Sequence, residues 1–354
     1  MNGETGAAGR GKRERSHHRL LSATAFVVAA WSGTTAVSAD EFYAKRQMTL
    51  LIGNNVGSDY DISGRLVGRH IVRHIPGNPT LVPQNMPGAS SLIATNYVYA
   101  IAPQDGSVLA SALQGIALRQ AFGDENVKFD AGRLQWIGNP ATSPNVMVMW
   151  HTSPIKTIAD AKAQSVPMGA TTPDAASGLE VILSNNVLGT RFQLVTGYKG
   201  PQINFALEQG EVQGRSGQTW SGWKTSHPHW VKDRLIRVIL QIGIKRADDL
   251  PDVPLMVEFA ETAEQRQILE LFSAPIGIGR PLFVGPGVPA ERVALLRRAF
   301  DSTLADAAFL AEARQMNLDV APVTGEALQR LVAGMLATPP EVLAKAKEAM
   351  IQRK

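Results

Sequence analysis

Cysteine is absent from the 354 residues, which excludes a disulfide, a thiolate nucleophile and a Cys-ligated metal. Other compact signatures of reaction chemistry are missing too. There is no phosphate loop ending in Gly-Lys-Ser or Gly-Lys-Thr, and Gly277-Ile278-Gly279-Arg280 is too short a match for a dinucleotide fingerprint. Gly214-Arg215-Ser216-Gly217 is not a nucleophile elbow. His70 and His74 have i,i+4 spacing but no acidic third ligand close in sequence, and beside Arg69 and Arg73 they read as a solvated helix face. His227-Pro228-His229 reads as a surface turn. With no triad and no paired acid site, no catalytic residue, metal ligand or cofactor is assigned, and the expectation is a non-enzyme.

A long apolar run is also lacking. Leu20 to Trp31 is mainly apolar but short for a bilayer span. Basic residues Arg10, Lys12, Arg13, Arg15 and Arg19 precede it, and the small-residue pattern Val37-Ser38-Ala39 follows. That order reads as a secretory signal peptide over residues 1–39, cut after Ala39, in preference to an uncleaved anchor. Five of the 35 Lys/Arg and two of the 31 Asp/Glu lie in that segment, so the exported chain is close to neutral. No electrostatic case for nucleic acid remains. An exported chain without cysteine fits a bacterial periplasm.

What is present is an alternation of strand-like and helix-like runs from Met48 onward, which argues for α/β layers with largely parallel sheets. Met48–Ile52 reads as a strand. Asp61–Ile75 reads as a helix with Val67, Ile71 and Ile75 on one face, ended by Pro76-Gly77. Leu81–Val82 is a short strand, and Ser90 or Ser91 can cap a helix carrying Ile93, Tyr97 and Ile101 on one side. Ser107–Ala112 is the next strand. A second unit starts near Trp150 and echoes the first. Thr157 and Asp160 fit a capping box, Val166–Ala170 is strand-like, and Thr171 to Gly178 leads into a helix with Gly189 beyond its end. Phe192–Thr196 is a strand, Pro201 opens a helix after Gly197-Tyr198-Lys199-Gly200, and Leu235–Ile242 is an apolar strand. Near Phe272–Pro289 the chain reads as a return crossing, with the C-terminal helices packing on the first unit. Two hinged units with facing loops describe a clamshell that closes on a ligand. Loops that feed helix starts can hold an anion with backbone N–H groups alone.

From Glu41 to Ala349 these residues resemble the substrate-binding proteins of the tripartite tricarboxylate transporter family. The resemblance is carried by Met48–Arg65 with Asp61 and Arg65, by Gln84-Asn85-Met86-Pro87-Gly88-Ala89, by Ala102-Pro103-Gln104-Asp105-Gly106, by Gly197-Tyr198-Lys199-Gly200 followed by Glu208-Gln209-Gly210-Glu211-Val212, and by Pro286-Gly287-Val288-Pro289. It implies a two-lobed α/β periplasmic binding protein of type II-like, Venus-flytrap form, with two mixed or parallel sheets flanked by helices. It also implies capture of a small organic carboxylate and its delivery to membrane transporter subunits. One lobe is expected over residues 40–149 plus 274–354 and the other over 150–273; the receptor is expected to be a monomer. The family commonly has three consecutive glycines in the first loop, where this chain has Gly57-Ser58-Asp59. Asp59 costs binding of an anion unless it points away or is neutralised, which keeps an amidated, zwitterionic or cationic ligand open. A ligand sensor for a membrane signalling protein is the alternative role.

The expected ligand residues are Asn54, Gly57, Ser58, Asp59, Tyr60 and Asp61 in the first loop, then Gly88, Ala89, Ser90 and Ser91 in the second. From the second unit come Thr171, Thr172, Ser177, Tyr198, Lys199, Gln218 and Trp220. Asp61 reads equally as an N-terminal cap or as a brace for the loop. Lys199 alone would read as a solvated charge, and Trp220 as hinge packing. Tyr198 offers a ring wall and a hydroxyl.

Overall fold

A computed structural model describes residues 42–316 and 318–352; the expected signal peptide and its cleavage site lie outside the described residues. Among these, no helix is long and apolar enough to cross a membrane, and no three His, Asp or Glu side chains cluster as metal ligands.

The chain builds two sheets. The first takes β1 (Gln47–Ile52), β2 (Thr80–Asn85), β3 (Val108–Ser111), β4 (Gln135–Asn139), β10 (Leu282–Val284) and β11 (Val323–Thr324), in the order β11-β4-β10-β3-β1-β2. The second takes β5 (Asn145–Trp150), β6 (Pro167–Gly169), β7 (Gln193–Val195), β8 (Gly214–Thr219) and β9 (Ile236–Ile242), in the order β7-β6-β8-β5-β9. Both are mixed, which corrects the expectation of largely parallel sheets. β1 runs parallel to β2 and β3, and β6 to β7 and β8. β10 and β5 run antiparallel to their neighbours. The physical reason is entry direction: each is the strand with which the chain enters a sheet from the other one.

Helices cover the sheets as the apolar periodicity requires. In the first half these are α1 (Asp59–Ile71), α2 (Leu92–Ala100) and α3 (Ile116–Ala121). The second half has α4 (Ile158–Ala163), α5 (Ala176–Leu183), α6 (Gly200–Glu208), α7 (Trp220–Ser226), α8 (Pro228–Lys232) and α9 (Ala263–Ile278). After the return come α10 (Ala290–Ala305), α11 (Ala307–Gln315), α12 (Gly325–Leu336) and α13 (Pro340–Ala349). The Thr157/Asp160 capping box forms, and Gly189 ends its helix in the left-handed conformation. α9 carries Pro275 inside and runs on to Ile278, so the return crossing comes later than that proline.

Leu50, Ile52, Val67, Ile71, Leu296 and Phe300 fill the space between the first sheet and helices α1 and α10. Val146, Val148, Leu207, Trp223 and Trp230 do the same for the second sheet. A third apolar cluster is continuous from Leu51, Trp136 and Phe283 through Leu269, Phe272 and Ile276 of α9 to Met147, Met168 and Leu240. α13 joins it through Val342 and Ala346, and Asn186 Nδ2 donates to the carbonyls of Ala349 and Ile351. The last helix therefore packs on α9 and the end of the α5 region.

Three local readings need correction. On α2 and just past its end, Ile93 and Ile101 turn outward, 50% and 71% exposed, and Tyr97 is half-buried, while Leu92, Thr95 and Val98 are buried. His70 is not on a solvated face: it is buried, its Nε2 meets Glu312 Oε2 at 2.5 Å, and its ring stands edge-on to Phe309. Arg69 also pairs with Glu312, and His74 with Asp306. His227-Pro228-His229 is a helix start rather than a turn, and His227 packs on Trp230 with ring centroids 4.4 Å apart.

Candidate ligand cleft

Register sets the two edges that matter. Ile52 pairs with Asn85 and with Ser111, so the loops after β1, β2 and β3 leave the first sheet at one level. Gly169 pairs with Val195 and with Arg215, so the loops after β6 and β7 leave the second sheet together, and β8 runs on beside them. In an open α/β sheet ligands lodge beyond the carboxyl ends of such strands.

At the first edge the loops are tied to one another by buried polar atoms. Ser91 Oγ donates to the Gly53 carbonyl at 2.9 Å and accepts from Asn54 Nδ2 at 3.3 Å and from the Leu113 N–H at 3.1 Å. One hydroxyl thus staples three loops. Ser91 occupies the N-terminal position of α2 but does not cap it, because Ala89, Ser90 and Ser91 all have positive φ and the hydroxyl points back toward β1. Asp61, equally buried, accepts from the Gly57 N–H at 2.9 Å, from Arg65 Nε at 2.7 Å and from Asn85 Nδ2 at 2.9 Å. Burial alone would raise its carboxyl, yet those three donors and the Arg65 charge outweigh it and hold the group below its ordinary value. Asp61 braces the loop, while Ser58 supplies the cap by accepting from the Asp61 N–H at 3.3 Å. Tyr60 Oη accepts from the Gln114 N–H at 3.4 Å, and burial pushes its hydroxyl up. Asn54 and Ser58 are half-buried, and Gly57, Asp59, Gly88, Ala89 and Ser90 are exposed.

At the second edge Ser177 is buried and its Oγ accepts from the Thr171 N–H at 3.1 Å; Thr172 is exposed. Behind it, Glu180 is enclosed by Asn145 Nδ2 at 2.5 Å, the Ser216 hydroxyl and the Gly217 N–H at 2.8 Å. Gly217, at φ +80, lies so close to α5 that a Cβ there would stand 2.3 Å from Ser177 N. This closes the β8 end onto the α5 start, and nothing in the spacing of Glu180 foretold it. Tyr198 is half-buried and its hydroxyl donates to Glu211 Oε2 at 3.4 Å; Lys199 is exposed at the start of α6. Gln218 Nε2 donates to Ser226 Oγ at 3.1 Å. Trp220 is buried in the second sheet's apolar cluster, its Nε1 donating to Asp249 Oδ1 at 2.8 Å. Arg215 lies outside the expected set of ligand residues. It is buried, donates from Nη1 to Asn204 Oδ1 at 2.6 Å, and burial pushes its pKa down to about 10.

The start of α1 and the start of α7 meet across the crossing segment. A cavity of about 300 Å³ is lined by Asp59, Ile62, Ser63, Ser143, Thr219, Ser221, Gly222 and Arg280, among others. Asp59 is brought here, where Arg280 Nη2 lies 3.2 Å from its Oδ2. Larger hollows, of about 530 Å³ beside α9 and α12 and about 660 Å³ around Lys224 and Asp249, contain none of the loops that follow β1, β2 and β3.

No family model matches the chain, and a search of curated proteins finds no relative. Solved structures do share its fold. A TctC solute-binding protein from Polaromonas, without ligand, is 18% identical over 87% of this chain and 99% of its own, with a TM-score of 0.67. An R. palustris protein with adipate is 21% identical over 85% and 97%, with a TM-score of 0.56. MatC from Rhodopseudomonas palustris with bound malate is 17% identical over 86% and 99%, with a TM-score of 0.54. The chain has the two-lobed α/β fold of tripartite tricarboxylate solute-binding proteins.

Proposed function

We propose that this chain is a periplasmic solute receptor that captures a small organic carboxylate and delivers it to the membrane subunits of a tripartite tricarboxylate-type transporter. The observation that carries the reading is a pair of sheets whose strand-end loops lead into helix starts, with Asp59 at the start of α1 and Thr219 at the end of β8 reaching one cavity between them. Backbone N–H groups at such starts favour an anion. The fold shared with receptors solved with adipate and with malate supports the same ligand class.

In this reading one lobe is residues 40–149 plus 274–354 and the other 150–273, with the chain crossing at 140–144 and 279–281. Asn54, Gly57, Ser58, Tyr60, Gly88, Ala89 and Ser90 face the ligand from one side. Thr171, Thr172, Tyr198, Lys199 and Gln218 face it from the other. Asp61, Ser91 and Ser177 stand behind them, since their polar atoms are already engaged, and Trp220 backs the wall. The receptor works as a secreted monomer, without enzyme chemistry, metal, cofactor or nucleic acid.

A melting-shift screen of di- and tricarboxylates, aromatic acids and amino acids tests this. A ligand at a hundred times its Kd stabilises the fold by about 2.7 kcal/mol. We expect at least one acid to raise the melting temperature. A shift produced only by neutral or cationic compounds would overturn the carboxylate assignment and leave the receptor standing.

A further inference from the structure

We infer that Arg280 is the cationic anchor for one carboxylate of the ligand, and that Asp59 is its internal competitor, holding the guanidinium until an acid enters. The inference rests on the receptor reading above and specifies which side chain grips the acid.

Arg280 follows α9 at the crossing into β10, and its backbone N–H is fixed by Asn139 Oδ1 at 3.0 Å. A guanidinium carries five N–H donors in a rigid fork. Here Nη2 reaches Asp59, and Nε is buried with no partner. The fork lines the cavity that Ser143, Thr219, Ser221 and Thr225 complete with hydroxyls. Asp59 is the one side-chain acceptor that the guanidinium meets among the described residues, so an anion placed against its terminal nitrogens adds charge-assisted bonds that the free receptor lacks. The cavity's other acid, Asp319, is engaged elsewhere, its Oδ2 lying 3.8 Å from Lys224 Nζ.

Asp59 suits an exchangeable partner. Its side chain is 74% exposed, and it makes one contact of 3.2 Å to Arg280. Exposed pairs of this kind contribute little stability. A ligand carboxylate that takes two parallel bonds from the fork therefore displaces Asp59 at small cost. Released, Asp59 swings into water as the first residue of α1 without disturbing the cap, which is Ser58. An aspartate that looks hostile to an acid in sequence is thus a gate that selects for acids able to out-compete it.

The test is calorimetric titration of the full chain with malate, adipate and the tightest acid of the screen, each beside its amide. Expected is a loss of at least tenfold for the acids in R280Q, with little change for the amides. R280K should recover part of the loss, and D59N should bind the acids several-fold more tightly than wild type. Acid affinity unchanged in R280Q overturns the inference, and so does an equal loss in D59N and R280Q, which would make the pair a structural tie. Circular dichroism of both variants separates misfolding from lost binding, and D59N keeps the test decisive if R280Q fails to fold. A wild-type chain that binds only neutral solutes sinks the carboxylate reading together with the anchor. A wild-type chain that binds acids but is indifferent to R280Q sinks the anchor alone.

Discussion

Glu180 shows how much a single side chain can organise without touching a ligand. Its carboxylate receives the Asn145 amide, the Ser216 hydroxyl and the Gly217 N–H, which ties α5 to β5 and β8. Burial pushes the carboxyl above its ordinary value, against the pull of those donors and of Arg215. The folded chain therefore holds the Glu180 proton at a pH where the unfolded chain, near the ordinary value of about 4.3, has released it. Stability from this group is fully present below that unfolded value and is lost as pH rises through the folded one. E180Q keeps the shape and cannot ionise. The wild-type urea midpoint, measured relative to E180Q from about pH 4 upward, should fall with rising pH; a constant difference would show that Glu180 titrates alike in both states.

Among the elements, those with local chemistry were legible and those that depend on distant partners were not. The Thr157/Asp160 box, the left-handed Gly189 and the proline that opens α6 are written within a few residues of each other, and each forms. The outward face of α2 was not legible. Periodicity marks a stripe, but Ala89–Ser91 turn left-handed and rotate the helix so that Leu92, Thr95 and Val98 meet the sheet. The burial of His70 was equally hidden, because its partner Glu312 lies 242 residues away. That pair fastens α11 to the helix that follows the loop after β1. E312A leaves the buried His70 nitrogen without its acceptor and should lower stability in urea by about 1–3 kcal/mol. K245A is the control: it breaks a pair whose side chains are 77% and 87% exposed and should change stability by less than about 1 kcal/mol. Equal costs would mean that α1 is held by apolar packing alone.

For the molecule as a whole, the order of strands and loops announced two halves, while the continuous cluster through α9 and the return of α13 onto it did not show in any local pattern. Arg280 was likewise invisible beside Asp59, 221 residues away, and only the crossing brings them together. That crossing turns on Gly279, whose φ of 61° and ψ of −121° are open to glycine and strained for other residues. A Cβ there would stand 2.3 Å from Asn139 Nδ2 and 2.8 Å from the Ala141 carbonyl oxygen. Asn139 ends β4 and Ala141 belongs to the companion crossing, so a side chain at 279 wedges the two connections apart. Closure about these connections needs their dihedrals to change, and a ligand drives it only by its differential affinity for the closed form. G279A should therefore cost about 1–3 kcal/mol of stability and blunt the ligand-driven fall in radius of gyration that X-ray scattering should record for the wild type. A variant as stable as wild type that still compacts on adding the acid would move the hinge away from Gly279. A wild-type radius unchanged by a bound acid would mean that the apolar cluster through α9 holds the two halves in one position, and that the ligand enters a cleft already formed.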